Sequence, residues 1–272
     1  MRDVLRDLGN HPQVSRWLGP WLRQLRNMGA PEDYRGILSE LEEAGGGTAQ
    51  LQHNRDLGRL DCHLCIARKV CGDFESVFSE RLQLGTDLHE ANARILDKLA
   101  EIRAIVGLHL LGFEGIRFIR TPDLVATLEG KAFLVEVTRL GASTGKRADV
   151  WDWESGSIAS GAHVGMEASG GRSVRTLFDA IYREIEGKYP QFKKSKCQAD
   201  GRIVWISLGR DYLTAGRYEL PDVGLQVRMS NPERALELAL REIKGTGGYP
   251  GLSHVVLSRG RDHIDLVLPE LG

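Results

Sequence analysis

The sequence lacks a strong excess of charge of either sign, a cysteine framework and a long apolar run. Its 36 lysines and arginines nearly balance 37 aspartates and glutamates, for a formal net charge of -1. The chain as a whole therefore does not attract nucleic acid or an anionic membrane. Its four cysteines do not suit the disulfide framework of a secreted protein. Residues 1–14 contain no apolar signal core, and no apolar run is long enough to cross a bilayer. We expect a soluble cytoplasmic protein with no membrane partner.

What is present indicates a helical N-terminal region followed by an α/β domain. Apolar residues recur at helical spacing over 12–28, and another helix is expected over 72–84. Beyond these, helical patterns alternate with strand patterns, ending in a helix over 232–244 and a terminal hairpin. We therefore divide the chain into a helical region, 1–85, and an α/β domain, 86–272.

The segment 116–140 carries the most informative pattern in the sequence. Two apolar runs flank a turn at 129–131, which predicts a β-hairpin. Asp123 and Glu136 stand where apolar residues are expected, and an ionised carboxylate in an apolar setting is costly unless something pairs with it. A divalent cation shared by the two carboxylates would remove that cost. Magnesium or manganese, held by Asp123, Glu136 and the backbone carbonyl of Val137, fits such oxygen ligands.

The order Pro122-Asp123, then Glu136-Val137-Thr138, resembles the motif of the PD-(D/E)xK nuclease superfamily. The resemblance implies an α/β fold with a restriction-endonuclease-like mixed sheet flanked by helices. It also implies that Asp123 and Glu136 bind the catalytic metal ion. The family has a lysine two residues after the glutamate, and this chain has Thr138 there. Threonine forms hydrogen bonds but carries no positive charge.

The resemblance extends over residues 90–208. Family members carry a glutamate on the helix before the hairpin, and Glu101 lies at the matching place, before Gly112. It implies that Glu101 holds a water molecule or a second ion. Downstream, Lys188 and Gln191 resemble a pair found on the helix that follows the hairpin.

Some members of this superfamily take the missing positive charge from another element. Lys188 is the first candidate for that role here, and Lys131, Arg139 and Lys146 are weaker ones. Arg139 should point away from Glu136, because residues an odd number apart on a strand face opposite sides. The candidate catalytic set is therefore Asp123, Glu136, Thr138, Lys188 and Glu101.

The expected function is metal-dependent hydrolysis of nucleic-acid phosphodiester bonds, with DNA as the first candidate substrate and a homodimer allowed by the resemblance. The alternative is a catalytically silent domain of the same fold that binds nucleic acid or protein. A third hypothesis is a serine hydrolase that uses Ser143 in the sequence Gly141–Gly145. It is disfavoured because no clear helical pattern follows the serine.

Three further features have more than one interpretation. Cys62, Cys65 and Cys71 supply half of a zinc site, or they are small side chains packed on a helix. The segment 141–172 follows Thr138 directly and is either a loop over the site or a surface insertion. The stretch 188–202 is locally basic, as a solvated helix end or as part of a basic cleft.

Overall fold

The structure, a computed structural model, describes residues 10–27, 49–79, 88–140, 167–168, 172–173, 177–208, 218–220, 225–227, 232–245, 247–259 and 263–265. The helices in these ranges are α1 (Pro12–Trp17), α2 (Gly19–Asn27), α3 (Ala49–Val70), α4 (Phe74–Ser79), α5 (Leu88–Leu110), α6 (Leu177–Lys194) and α7 (Pro232–Gly245). The strands are β1 (Glu114–Phe118), β2 (Leu124–Leu128), β3 (Lys131–Leu140), β4 (Glu167–Ala168), β5 (Arg172–Ser173), β6 (Gly201–Leu208), β7 (Tyr218–Leu220), β8 (Leu225–Val227), β9 (Leu252–Arg259) and β10 (His263–Asp265).

A six-stranded mixed sheet organises the molecule, in the order β1-β2-β3-β6-β9-β10. The first three strands are antiparallel neighbours, β3, β6 and β9 run parallel, and β10 returns antiparallel to β9. The predicted hairpin over 116–140 and the terminal hairpin are both confirmed, and the terminal hairpin extends the sheet. The short strands β4 with β5, and β7 with β8, form two separate two-stranded ladders.

The connection from α5 to β1 is set by Gly112. Its φ of +85° lies in the left-handed region, which glycine adopts at no steric cost. The Phe113 N–H donates to the Leu108 carbonyl at 2.9 Å, and the Gly112 N–H donates to the His109 carbonyl at 3.0 Å. This pattern closes the last turn of the helix and satisfies its final carbonyls. The sequence prediction that Gly112 ends this helix is confirmed.

Helices cover both faces of the sheet. Alternate residues of β3 divide between two apolar cores, because side chains on a strand alternate between its faces. Val135 and Val137 pack with α5 and the N-terminal helices. Leu134 and Leu140 pack with α6 and α7 on the other face. Glu136 and Thr138 share the parity of Leu134, so they face α6 from within a sheet that is covered on both sides.

The N-terminal helices contribute to the same core as one sheet face. Val14 and Trp17 of α1 and Leu64 of α3 belong to the apolar cluster that contains the α5 side of β3. Asp61 of α3 accepts hydrogen bonds from the Gln13 and Val14 N–H groups at 2.6 and 3.0 Å, which satisfies donors at the start of α1. Residues 80–87, where we placed the boundary, lie outside the described ranges.

The N-terminal helix differs from its prediction. The single helix expected over 12–28 is two helices, which meet at Leu18. Pro20 lies near the start of α2 and has no N–H to donate back to the preceding turn, so a continuous helix loses a hydrogen bond there. Of the helix expected over 72–84, the described part is Phe74–Ser79.

Candidate functional site

Asp123 is held beside Glu136 by the backbone of β3. The antiparallel pairing of β2 with β3 ends at Leu124 opposite Val135. Two residues further along β3, the Val137 N–H donates to Asp123 Oδ2 at 2.8 Å. The side chain of Asp123 thus occupies the place that a further residue of β2 would have taken. Its carboxylate is fixed next to the strand that carries Glu136.

Glu136 is a buried carboxylate in the middle of the sheet. It is 4% exposed, and Lys188 Nζ lies 3.0 Å from its Oε1. Lys188 projects from α6, which packs on this face of β3. The lysine that the sequence identified as the first substitute for the missing motif lysine is therefore in direct contact with the motif glutamate.

Thr138 contacts the same helix one turn earlier. Its Oγ1 donates to Glu184 Oε2 at 2.7 Å. Glu136 and Thr138 are two strand residues apart, about 6.6 Å, while Glu184 and Lys188 are four helix residues apart, about 6 Å. The two spacings nearly match, so both contacts form at once between β3 and the antiparallel α6. Glu184 also acts on Lys188 electrostatically.

Glu101 approaches the same place from the other face of the sheet. It projects from α5, is 9% exposed, and its Oε2 lies 2.5 Å from Lys98 Nζ. The charge of Asp123 acts on Glu101 and on Glu136. Asp123, which lies just before β2, is therefore close enough to both glutamates for its charge to affect their pKa values.

The three carboxyl groups Glu136, Glu101 and Asp123 have raised pKa values, and burial is the largest cause for each. Burial, with the nearby charge of Asp123, raises the pKa of Glu136 to about 7, although Lys188 acts in the opposite direction. Burial raises the pKa of Glu101 to about 7 against the effect of Lys98, and Asp123 adds to the rise. Burial also raises the pKa of Asp123, and its hydrogen bond from Val137 opposes this.

Lys188 shows the reverse balance. Burial alone would lower the pKa of its ammonium group, but Glu136, Asp123 and Glu184 together raise it. Lys188 therefore stays charged, and the site combines a held cation with an accumulation of negative charge. Titratable groups whose pKa values are shifted by burial and by specific charged partners are typical of functional sites.

The donor atoms suit a hard divalent cation. Asp123 and Glu136 supply carboxylate oxygens, and the Val137 carbonyl points to the Asp123 side because the N–H and C=O of one strand residue face the same neighbour. Magnesium takes one or two carboxylates and keeps several waters. Across the described ranges, no three His, Cys, Asp or Glu side chains are grouped for metal binding. A metal would therefore rely on two carboxylates, the carbonyl and water.

The weaker cation candidates lie elsewhere. Arg139 Nε is 3.4 Å from Asp97 Oδ1 of α5, on the face opposite Glu136, as strand alternation predicted. Lys131 is exposed at the start of β3. Lys146, Ser143 and most of the segment 141–172, which we expected to be either a loop over the site or a surface insertion, lie outside the described residues.

Two residues of the site, Glu184 and Lys98, were not predicted from the sequence. Glu184 lies four residues before Lys188 on one helix, a spacing at which side chains are neighbours, and that spacing could have identified it. Lys98 lies three residues before Glu101 and could have been found in the same way. Neither has a role that the motif resemblance would suggest.

The three cysteines that were considered for a zinc site, Cys62, Cys65 and Cys71, differ in their exposure to solvent. Cys62 is exposed and Cys65 half-buried on α3, while Cys71 is buried after the helix. The Cys71 Sγ donates to Asp73 Oδ1 at 3.2 Å, and burial raises the pKa of this thiol to about 12. A metal ligand must be a thiolate, so this environment favours the packed-cysteine interpretation for Cys71.

No protein-family model, curated protein or solved structure matches the chain. No helix in the described ranges combines the length and the hydropathy needed to cross a membrane. The functional assignment therefore depends on the chemistry of the residues around Glu136.

Proposed function

We propose that the protein is a metal-dependent nuclease with a restriction-endonuclease-like fold, and that it hydrolyses phosphodiester bonds of nucleic acid. The mixed sheet with helices on both faces is compatible with that fold. The order of helix, hairpin, helix and strand from α5 to β6 is the order on which the motif resemblance rests.

One observation carries the proposal: Asp123, Glu136 and Lys188 meet beside the end of the β2–β3 pairing. The Asp123 carboxylate is bonded to the backbone next to Glu136, and Lys188 donates to Glu136 itself. Two carboxylates and a cation in this arrangement are the groups that hydrolysis of a phosphodiester needs. Asp123 lies just before β2, Glu136 is on β3 and Lys188 is on α6. The tertiary fold, and not proximity in the sequence, therefore brings the three residues together.

Each residue has a role in this scheme. Asp123, Glu136 and the Val137 carbonyl would hold Mg²⁺ or Mn²⁺, an ion that when bound activates water and neutralises phosphate charge. Lys188 would stabilise the negative charge that develops on the phosphate, in place of the lysine that Thr138 replaces. Glu184 would orient Lys188 from one turn away. Glu101 would accept a hydrogen bond from water on the α5 side.

Cleavage assays test this directly. Plasmid, single-stranded DNA and RNA are incubated with the protein and Mn²⁺, with and without EDTA. We expect cleavage that EDTA and Glu136→Gln abolish. Glu114→Gln is the matched control, because Glu114 is exposed on β1, and it should cleave like the wild type.

Other outcomes select the competing functions. Binding of nucleic acid or protein without cleavage of any substrate would refute the nuclease and favour the silent module. Covalent labelling of Ser143 by a fluorophosphonate, with EDTA-resistant hydrolysis, would favour the serine hydrolase.

A further inference from the structure

A cavity of about 660 Å³ lies beyond the last turn of α6. Leu134 of β3 and Phe192 of α6 contribute apolar walls, and Lys193, Asp200 and Arg202 line it with charged groups. Leu134 is two residues before Glu136 on the same face of the strand, about 7 Å along it. The cavity is therefore next to the carboxylate site.

The loop that closes this cavity is fixed by hydrogen bonds. The Asp200 N–H donates to the Ala132 carbonyl at 2.8 Å, and the Ala132 N–H donates to Asp200 Oδ2 at 2.7 Å. The Cys197 N–H donates to Ser195 Oγ at 3.2 Å. The carboxylate of Asp200 is thus engaged by the backbone of β3, which reduces the negative charge that it presents to the cavity.

The two cations of the cavity are held by aromatic and backbone groups instead of by carboxylates. Lys193 Nζ and the Arg202 guanidinium carbon lie 5.4 and 5.9 Å from the ring centroid of Tyr189. Arg202 Nη1 donates to the Pro250 carbonyl, which also accepts from the Tyr189 hydroxyl at 2.7 Å. Within the described ranges, neither Lys193 nor Arg202 forms an ion pair.

The position of Arg202 depends on the absence of a side chain at Gly251. A Cβ added there would lie 2.5 Å from Arg202 Nη1. The guanidinium is thus placed before any ligand arrives, with several of its five N–H donors left to offer beyond the one used by Pro250. Its planar fork matches phosphate oxygens, and Lys193 adds a point charge beside it.

We propose that this cavity binds a phosphate group of the nucleic-acid substrate, next to the phosphodiester bond that is cleaved at Glu136. The inference rests on the proposed nuclease function and adds the group that holds the substrate. The segment 188–202 contains five lysines and arginines and one acid. In a chain with a net charge of -1, such a local cluster is what can attract a polyanion.

Equilibrium binding without catalysis provides the test. Fluorescein-labelled single-stranded DNA, duplex DNA and RNA are titrated with protein in EDTA, and anisotropy is followed at several salt concentrations. Removing a phosphate contact should weaken binding about equally for all sequences and lower the slope of log K against log salt by about one. We expect this for Arg202→Ala and for Lys193→Ala.

Matched controls separate this effect from a general loss of positive charge. Arg117 is exposed on β1 and Lys131 is exposed on β3, so Arg117→Ala and Lys131→Ala should leave both affinity and salt slope unchanged. Lys193 is exposed at the helix end, so its variant keeps the test valid even if the Arg202 variant does not fold.

Competition identifies the source of the phosphate. Displacement of labelled DNA by unlabelled oligonucleotide, but not by millimolar inorganic phosphate, is the expected result. Displacement by inorganic phosphate alone would overturn the nucleic-acid subsite in favour of a free-phosphate site. Wild-type affinity and slope in both cavity variants would overturn the inference, while EDTA-sensitive cleavage by the wild type would still support the nuclease. Weaker binding by both variants, together with no cleavage by the wild type, would support the phosphate subsite and refute the nuclease.

Discussion

Moving the lysine from the helix back to the strand tests whether Lys188 has replaced the motif lysine. Lys188→Met removes the ammonium group and keeps most of the apolar stem. Thr138→Lys then places an ammonium two residues after Glu136, on the same face of β3. Glu184 accepts the Thr138 hydroxyl in the wild type, so it would pair with the new lysine. Glu184→Gln is therefore combined with the exchange to release that lysine.

The size of the effect follows from the contact distance. Lys188 Nζ lies 3.0 Å from Glu136 Oε1, so its charge would act at short range on a phosphate that a metal ion holds beside this carboxylate. Two unit charges 4 Å apart near a protein surface interact by about 4 kcal/mol. Removing one positioned stabiliser of transition-state charge costs about a hundred- to a thousand-fold in rate, or about 3 to 4 kcal/mol. Both considerations give a loss of the same order for Lys188→Met.

Single-turnover cleavage with Mn²⁺ measures the outcome. We expect Lys188→Met to lose about a hundred- to a thousand-fold in rate, and the exchanged triple variant to recover at least about tenfold of this loss. Thr138→Lys alone should give no gain, because Lys188 already supplies the charge. Lys131→Met is the control for removal of an exposed lysine, and it should have no effect.

Two results would refute this reasoning. The first is a Lys188→Met rate within about threefold of the wild type, far below the expected loss. The second is an inactive wild type in which Thr138→Lys alone creates cleavage. That result would mean that the threonine marks a loss of catalysis and that the silent module is the correct assignment.

Three further predictions concern protonation, metal and the backbone. The pKa of Glu136 is raised from 4.5 to about 7, so the folded form holds this proton at pH values where the unfolded form has released it. The stabilisation from Glu136 is complete below pH 4.5 and is lost as pH rises through 7, amounting to roughly 3 kcal/mol. Urea unfolding across pH should show a loss in the wild type that is larger by this amount than the loss in Glu136→Gln, where the raised pKa values of Glu101 and Asp123 still contribute. Mn²⁺ titrated by calorimetry should bind the wild type and Glu114→Ala but not Asp123→Ala, and equal binding by all three would exclude the metal site. Gly112→Ala should lower the unfolding free energy by about 1 to 2 kcal/mol because of its positive φ, whereas Gly187→Ala in α6, with no atoms near its added Cβ, should raise it by up to about 1 kcal/mol.

The hairpin and the placement of its acidic residues were predictable because their signals are local. Strand alternation, the turn at Glu129-Gly130 and the end of α5 at Gly112 are all written in short windows of sequence. Glu129 and Gly130 both adopt positive φ, as a tight hairpin turn of the primed type requires. The division of β3 between two cores also follows from alternation, which is why Arg139 was correctly expected to face away from Glu136.

The contacts between β3 and α6 could not be predicted from such windows. Which helix turn meets Glu136 depends on how the whole helix lies on the sheet, and that is set by packing of residues such as Ile181 and Ile185. Family resemblance identified Lys188, but nothing in the sequence paired Thr138 with Glu184. The break in the helix over 12–28 is different, since Pro20 gave a local signal that the apolar spacing outweighed.

The spacing of the two contact residues on β3 nearly equals the spacing of their partners on α6, and this match limits how the sequence can vary. A residue inserted between Glu184 and Lys188 would rotate one of them about 100° around the helix axis, so that it no longer meets its strand partner. An insertion in the loop after α6 would leave both contacts in place. In relatives of this chain, the two-residue interval in the strand and the four-residue interval in the helix should therefore be inherited together. In a relative that has lysine at the position of Thr138, other residues should be tolerated at the position of Lys188.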